Sequence, residues 1–276
     1  MATLLTSLQN ARIKNILKLQ NRRHRDAQQK TVVEGIREVH CALQSGILPD
    51  EAYVCPELLT DAEGTAVYQQ LQTVAQTTQM PLFTITPELF AKAAYRGQSG
   101  GILLLIPYLT HTLQTLALSP TPLLLVIDGS EKPGNLGAIL RTADAAGVEA
   151  VILTNPPGGG GTDMHNPNVV RASLGALFTR PVLETTPEAL LGWLRHQKIK
   201  IAVLTPEGER PYTQTDLRGG VALIMGSEAH GVHPIWLKKA DLRLKIPMFG
   251  TVDSLNLSVA TAVVVFEAIR QRQETA

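Results

Sequence analysis

Asn135 and Arg141 stand where a glycine-containing loop leads from an apolar strand into a helix. The strand pattern LLLVID precedes Gly129 and Gly134, and a second apolar strand, AVIL, follows the helix. A strand, loop and helix in this order commonly bind phosphate through backbone N–H groups at the helix N-terminus. Here the glycines match neither the dinucleotide spacing G-x-G-x-x-G nor the triphosphate spacing that ends in Gly-Lys-Ser/Thr. The loop therefore predicts a polar site with a different chemistry.

Two further strand ends carry glycine and polar residues. The apolar strand over 221–225 runs directly into Gly226 and Glu228, and Ser254 and Asn256 lead into the last helix. In an open α/β sheet, ligands bind at the carboxyl ends of the strands. We therefore expect these two stretches to meet the first loop in one pocket.

Each of these polar residues also has a purely structural explanation. Ser254 could cap the last helix, and Glu228 could lie in the first turn of a helix, where the helix dipole favours an acid. Arg141 could pair with Asp144 on its own helix or with Glu149. Three strand ends with the same glycine-plus-polar pattern nevertheless favour a functional site.

The composition sets the limits on the fold and its surroundings. A chain of 276 residues with 44% hydrophobic and 18% charged residues predicts a globular protein of one large or two small domains. Cys41 and Cys55 are too few for a disulfide framework or a zinc site, which suits the reducing cytoplasm. No apolar run approaches the ~20 residues of a membrane helix. The net charge of +1 does not by itself predict a polyanionic partner.

Alternating strand and helix patterns recur in both halves of the chain. Residues 31–106 predict a compact α/β unit with a mostly parallel sheet. We place the N-terminal domain at 1–107, a proline-containing linker at 108–121 and a second α/β domain at 122–276.

The N-terminal segment carries a local excess of positive charge. Between Arg12 and Lys30 there are seven basic residues against the single acid Asp26, and the spacing of the apolar residues suggests one helix with a basic side. This side could be an ordinary solvated face or a surface for a phosphate backbone. The candidate RNA-binding residues are Arg12, Lys18, Arg22, Arg23 and Arg25. The first 25 residues lack acids, so a transit peptide is the alternative to a place in the mature fold.

Three motifs resemble those of a known enzyme family. The patterns N-x-G-x-x-x-R at 135–141, G-S-E at 226–228 and S-L-N-x-S at 254–258 look like the motifs of the SpoU/TrmH-type RNA 2′-O-ribose methyltransferases of the SPOUT class. The resemblance covers residues 121–273. The N-terminal domain is similar, more loosely, to the small ribosomal-protein-like α/β RNA-binding domain often fused to this family.

The resemblance implies a fold, a cofactor and an assembly. The C-terminal domain would have a parallel sheet and a C-terminal segment threaded through a loop as a trefoil knot. S-adenosylmethionine would bind there without a metal, with Gly226 allowing close backbone approach and Ile246, Met248 and Leu255 forming apolar walls for adenine. The family commonly forms homodimers in which both chains line one site. The last helix is apolar nearly all round, as expected for burial against a partner.

The resemblance also assigns roles to the polar residues. Arg141 would anchor a phosphate beside the reacting 2′-hydroxyl and assist its deprotonation, because a free arginine is too basic to act as a simple base. Asn135 and Asn256 would fix the loop and Arg141. Glu228 would orient the site, and Ser254 would hold the ribose or the arginine.

The implied reaction is methylation of a ribose 2′-hydroxyl in RNA. Asn168, Arg171 and Ser173 resemble the variant of ribosomal RNA-directed members, which favours a guanosine of large-subunit ribosomal RNA. Two alternatives stay open, namely a tRNA ribose methyltransferase and a non-catalytic RNA-binding or ribosome-assembly protein with the same fold. His165 and His233 could suggest a metal or a general base, but no second ligand stands at metal-like spacing.

Overall fold

The chain folds into two compact units. The computed structural model describes residues 3–95, 100–129, 132–155, 163–227 and 231–274. The first unit consists of Met1–Tyr108 and Asp163–Thr179, and the second of Leu109–Thr162 and Arg180–Ala276. The sequence pattern places residues 163–179 in the C-terminal domain, whereas their packing places them in the first unit.

The elements of the N-terminal part alternate much as the sequence predicts. They are, in chain order, β1 (Thr3–Leu5), α1 (Ala11–Lys18), α2 (Arg22–Gln28), β2 (Lys30–Glu34), α3 (Ile36–Gln44), β3 (Glu51–Val54), α4 (Ala62–Thr78), β4 (Leu82–Ile85), α5 (Pro87–Ala93) and β5 (Ile102–Pro107).

The remaining elements continue the α/β alternation. They are β6 (Leu123–Asp128), α6 (Pro133–Ala145), β7 (Ala150–Thr154), α7 (Pro167–Ala172), α8 (Ala176–Thr179), β8 (Val182–Thr185), α9 (Pro187–His196), β9 (Lys200–Leu204), β10 (Arg210–Pro211), β11 (Val221–Gly226), α10 (Pro234–Lys239), β12 (Leu242–Lys245) and α11 (Leu257–Gln273). Among the described helices, none combines the length and the apolar character that crossing a bilayer requires.

The sheet of the first unit is mixed. Its strand order is β1-β4-β3-β5-β2, and β5 runs antiparallel to both β3 and β2. The expectation of a mostly parallel sheet holds for strand direction, because β5 alone runs against the other four strands, but this one reversal makes two of the four pairings antiparallel. Alternation of strands and helices does not define strand direction, which depends on where each connection returns to the sheet.

The basic N-terminal segment forms two helices where the sequence pattern predicts one. Ile13, Ile16 and Leu19 are buried in the core of the first unit, so this segment is part of the fold. Arg25 is 1% exposed and donates hydrogen bonds to the carbonyl oxygens of Leu19 and Gln20, both at 2.8 Å. Its guanidinium also forms an ion pair with Asp163. The prediction that Arg25 contacts RNA is therefore wrong, because its guanidinium is used inside the protein to hold the α1–α2 turn.

The segment over 163–179 is fastened to the first unit by polar and aromatic contacts. The Thr31 hydroxyl donates a hydrogen bond to the His165 carbonyl oxygen at 2.6 Å. The Tyr108 ring stacks on the His165 ring with centroids 3.7 Å apart. Burial lowers the pKa of His165 to about 4, so its ring is neutral at pH 7. Stacking inside the unit accounts for His165 without a metal or a catalytic role.

A tight turn divides the helix that the pattern predicts near 168–175. Gly175 has a φ of +88° and leads into α8. A β-carbon at Gly175 would lie 2.5 Å from the Cys41 sulfur of α3. Both the left-handed backbone and this close approach explain why glycine occupies the position.

The second unit is built on a seven-stranded sheet that is parallel throughout. Its strand order is β10-β12-β9-β11-β6-β7-β8, and every pairing in it is parallel. The predicted α/β class and the parallel C-terminal sheet are thus confirmed. Leu113 of the predicted linker is buried in the core of this unit, so part of that linker is packed. The trefoil knot concerns the path of the chain, which strand order alone does not define, and it stays a prediction.

The end of α11 is attached to two loops through backbone carbonyl groups. Arg272 donates to the carbonyl oxygens of Thr121 and Gly219, both at 2.6 Å, and of Leu217 at 3.1 Å. Gln271 accepts a hydrogen bond from the Leu217 N–H at 2.8 Å. Burial lowers the pKa of Arg272 from its usual value. These contacts attach the end of α11 to the loops that precede β6 and β11.

The buried ion pair between Arg25 and Asp163 gives the first testable prediction. The substitution Asp163→Asn keeps the shape of the side chain but leaves the Arg25 charge buried without its counter-charge. We expect the free energy of unfolding to fall by about 3–5 kcal/mol, measured by urea denaturation. Lys92→Ala, which removes the exposed Lys92–Glu88 pair of the same unit, should cost about 1 kcal/mol or less. Equal effects of the two substitutions would contradict the structural role of Arg25.

Candidate active site

A cavity of about 1110 Å³ lies in the second unit, at the carboxyl ends of β9 and β11 and along the segment between β12 and α11. Its volume slightly exceeds the usual range for small-molecule sites, about 300–1,000 Å³. All four predicted cofactor residues line it, as does one predicted catalytic residue: Gly226, Ile246, Met248, Leu255 and Ser254. The structure thus brings together residues that are up to 29 positions apart in the sequence.

The glycine at the end of β11 is required by a close approach of the backbone. A β-carbon at Gly226 would lie 2.3 Å from the carbonyl carbon of Gly231 and 2.5 Å from the nitrogen of Val232. These contacts are with the protein itself, whereas we expected the glycine to make room for a cofactor. Ser227 and Gly231 exchange backbone hydrogen bonds of 3.1 and 2.9 Å across the same turn. Glu228 lies outside the described residues.

Asp128 is a site residue that the sequence reasoning missed. It ends β6 and is 3% exposed, and its carboxylate accepts hydrogen bonds from the Thr154 hydroxyl at 2.6 Å and from the His233 N–H. The carboxylate therefore holds the chain that returns over the carboxyl end of β11. The sequence contained a signal for Asp128, because it is an acid at the end of the apolar strand LLLVID. His233 itself caps α10, accepting from the Ile235 N–H, which accounts for it structurally.

Asn135 and Asn256 join two of the three motifs. The Asn256 side-chain amide donates a hydrogen bond to the Asn135 side-chain oxygen at 3.1 Å. The Asn256 side-chain oxygen accepts from the N–H and the hydroxyl of Ser258, at 3.1 and 2.6 Å, and caps α11. One asparagine therefore starts α11 and binds it to the first turn of α6. The helix cap is Asn256, so capping does not explain Ser254, which is exposed at the cavity.

Arg141 lies two turns further along α6 and is exposed. The acids that could have paired with it have other partners. Asp144 lies 3.8 Å from Arg180, and Glu149 accepts two hydrogen bonds of 2.8 Å from Ser119. Of its neighbours three or four positions away on α6, Gly137, Ala138 and Ala145 are small, and the fourth is Asp144, which lies near Arg180. The guanidinium is therefore accessible to a ligand from solvent.

The candidate RNA-binding residues are in the first unit, and their surroundings differ. Arg12 forms an ion pair with Glu51 and lies over the Phe83 ring, 4.7 Å from its centroid. Arg22 lies 3.4 Å from the Asp26 carboxylate. Lys18 and Arg23 are exposed near the α1–α2 turn. The strong basic patch expected from the charge count is thus partly neutralised.

His165 and His233 are the histidines that could suggest a metal site. Within the described ranges, no group of three or more His, Cys, Asp or Glu side chains could hold a metal ion. The cavity walls contain the exposed acids Glu207 and Asp253 and the half-buried Lys245. A hydrogen bond from the Thr205 hydroxyl lowers the pKa of Glu207. The cavity therefore offers charges of both signs beside its apolar walls.

Both parts of the chain match known families. Residues 122–266 match the SpoU rRNA Methylase family, and residues 10–104 match the MRM3-like substrate binding domain. The 23S rRNA (guanosine-2′-O-)-methyltransferase RlmB of Pseudomonas putida is 42% identical over 153 residues, which make up 55% of this chain and 60% of that protein. The chain thus spans about 60% of the length of the curated relatives it matches.

Two solved structures are similar over nearly the whole chain. An RNA 2′-O ribose methyltransferase is 37% identical with a TM-score of 0.82, covering 98% of this chain and 100% of that one. An AdoMet-bound rRNA methyltransferase from Sinorhizobium meliloti is 26% identical with a TM-score of 0.87, covering 98% of each chain. The motifs, the parallel sheet and these matches lead to one conclusion: the protein belongs to the SpoU rRNA methylase family.

Proposed function

We propose that the protein methylates a ribose 2′-hydroxyl of RNA with S-adenosylmethionine as the donor. One observation carries the proposal: the hydrogen bond between Asn135 and Asn256 links the helix that bears Arg141 to the segment that lines the cavity. A solvent-accessible arginine is thereby attached to the edge of a small-molecule site. This is the arrangement that transfer between a bound cofactor and a large external substrate requires.

The cavity fits S-adenosylmethionine in size and in chemistry. Ile246, Met248 and Leu255 supply apolar wall for an adenine ring. Carboxylates and the Lys245 ammonium group in the same walls can bind the amino and carboxylate groups of the methionine part. The cofactor would supply an activated methyl group. The task of the protein is then to hold the two reactants in line and to remove a proton.

Arg141 is suited to the RNA side of the reaction. Its planar guanidinium can bind a phosphate with two parallel hydrogen bonds, which would fix the adjacent ribose. A guanidinium in solvent does not accept a proton at neutral pH. We therefore assign Arg141 to anchoring the phosphate and to assisting loss of the 2′-hydroxyl proton, with the phosphate taking part. Asn135 and Asn256 position its helix, Ser254 binds the ribose or the arginine, and Glu228 orients the second motif.

We propose a guanosine of 23S ribosomal RNA as the substrate. The curated relatives include several 23S rRNA (guanosine-2′-O-)-methyltransferases, each between 41% and 44% identical. The match of residues 10–104 to a substrate binding domain supports a large structured RNA. In the first unit, Arg12, Lys18, Arg22 and Arg23 remain the candidates for phosphate contacts. Methylation of tRNA in place of ribosomal RNA would support the alternative substrate.

We also propose that the protein is a homodimer through α11. Four apolar residues on this helix are spaced i, i+3, i+4 and i+7, and all are at least partly exposed: Val259, Ala262, Val263 and Phe266. Val259 and Phe266 are 49% and 48% exposed. Such a stripe normally packs against another apolar surface. A second copy of α11 would cover it.

Arg141→Lys is the sharpest test of the proposed reaction. Lysine keeps the charge but loses the planar fork, so the effect should appear mainly in the transition state. We expect single-turnover methylation of a ribosomal RNA fragment to slow by about a hundredfold or more. Arg218→Lys, a matched exposed arginine of the same unit, should leave the rate unchanged. A near-normal rate for the Arg141 variant would reduce Arg141 to a structural helix residue.

Cofactor binding provides the control for this experiment. Arg141 is outside the cavity lining, so its lysine variant should bind S-adenosylmethionine as tightly as the wild type does, measured by calorimetry without added metal. If the wild type bound no S-adenosylmethionine, or bound it only with a divalent metal, the cofactor assignment would be wrong.

Asn256 allows its two roles to be separated. Asn256→Asp keeps the oxygen that caps α11 but loses the amide donor to Asn135, and Asn256→Ala loses both. We expect the alanine variant to lose about 1 kcal/mol of unfolding free energy and the aspartate variant to lose little, measured in urea. Both variants should slow methylation, because both lose the hydrogen bond that joins the first turn of α6 to the start of α11. Full activity of the aspartate variant would contradict the positioning role of the Asn135–Asn256 bond.

The proposed dimer is tested with Phe266→Glu. A charge at this position cannot be buried without a partner charge, so α11 should no longer pair with a second copy. Sedimentation velocity should show a dimer for the wild type and a monomer for this variant. Gln214→Glu, which adds the same charge at another exposed position of the unit, should remain dimeric. A wild-type monomer at micromolar concentration would exclude this assembly.

A further inference from the structure

Tyr95 stands out among the aromatic residues of the first unit. It is 41% exposed, while the other aromatic side chains in the described part of that unit are buried or half-buried. It follows α5 and lies outside every role assigned above. Exposed aromatic rings that are held in place are the surfaces on which proteins stack unpaired RNA bases.

Hydrogen bonds hold Tyr95 at its hydroxyl and at its backbone N–H. Its hydroxyl accepts a hydrogen bond from the Asn168 side-chain amide at 2.9 Å. Its backbone N–H donates to the Glu34 carboxylate at 2.6 Å, and Glu34 is 3% exposed in β2. A ring that is already immobile loses little conformational entropy when a ligand stacks on it.

A polar side chain adjoins the ring. Gln20, Pro167 and Tyr95 line the same small cavity of about 10 Å³, which is too small to hold a base but shows that Gln20 lies next to Tyr95. Gln20 belongs to the α1–α2 turn, and its carbonyl oxygen accepts a hydrogen bond of 2.8 Å from the buried Arg25. The Gln20 side chain carries both donors and an acceptor, which is what reading the edge of a base requires.

Positive charge flanks the same turn. Lys18, Arg22 and Arg23 come within three residues of Gln20 in the sequence, and all three are exposed. Arg22 lies near Asp26, as described above, while Lys18 and Arg23 add charge on either side of the turn. These basic residues flank the turn whose Gln20 lies next to Tyr95. A stacking ring combined with basic side chains suits single-stranded RNA, because bases and phosphates are then contacted together.

We propose that Tyr95 stacks on one unpaired nucleobase of the RNA substrate, that Gln20 contacts the edge of this base, and that Lys18 and Arg23 bind the adjoining phosphates. This inference rests on the proposed function and adds the kind of RNA recognised: a single-stranded loop or bulge, in contrast to a continuous duplex. Asn168 and Glu34 act as positioning residues for the ring.

The test measures binding of the full chain to two RNA hairpins with the same number of phosphates. One hairpin carries a long unpaired loop, and the other is paired as far as possible. The wild type should prefer the looped hairpin. Tyr95→Ala should weaken binding to it about tenfold, while Tyr95→Phe, which keeps the ring, should retain most of the affinity. Tyr68→Ala, at a half-buried tyrosine on α4, is the control and should bind normally.

Salt dependence separates stacking from charge. Because the ring is uncharged, Tyr95→Ala should leave the slope of log affinity against log salt unchanged. The double substitution Lys18→Gln with Arg23→Gln should reduce that slope by about 1.4, as expected for two phosphates of a single strand. Tyr95→Leu, which keeps the apolar bulk without the aromatic face, guards against a folding defect of the alanine variant and should also bind weakly.

The outcomes distinguish this inference from the function on which it rests. Wild-type affinity of Tyr95→Leu or Tyr95→Ala for the looped hairpin would overturn the stacking site and leave the methyltransferase proposal intact. Equal wild-type affinity for both hairpins would likewise overturn it. If the wild type bound neither hairpin and methylated no ribosomal RNA, both proposals would fail.

Discussion

The parallel pairing of β6 with β11 is the constraint on which the candidate site depends. Its register places Gly226 opposite Asp128, so the ends of the two central strands coincide. Every strand of this sheet runs the same way, and the polar residues that follow them must therefore gather at one edge. The Asp128 carboxylate accepts a hydrogen bond from the His233 N–H and so holds the segment that follows β11 over that edge. The cavity and its lining follow from this arrangement.

Arginine side chains fix the positions of loops and helix ends in both units through directional hydrogen bonds. The buried Arg25 holds the α1–α2 turn and Asp163, and the half-buried Arg272 holds loops against the end of α11. Such groups are costly to bury, so each arrangement is stable only when all its hydrogen bonds are made. This requirement specifies one arrangement among many that would bury similar apolar area.

The candidate machinery is divided between an enclosed cavity and an open surface. The apolar walls around Met248 and Leu255 suit a small cofactor, whereas Arg141 and Tyr95 are exposed, as contacts to a macromolecule require. In the second unit the two environments are joined by the short link between Asn135 and Asn256.

The sequence by itself determined most elements and the α/β class, because apolar periodicity is a local signal. The resemblance of its strand-end motifs to a known family implied the parallel second sheet and the gathering of Gly226, Met248, Ser254 and Leu255. Tertiary structure decided what depends on distant partners. Strand direction in the first sheet, the packing of residues 163–179 with that unit, and the Asn135–Asn256 bond join residues far apart in the chain. Arg25 shows the difference most clearly. The sequence shows that it is positively charged, but its burial depends on the ion pair with Asp163, 138 positions away. A local pattern records what a side chain can do, and the fold alone selects its partner.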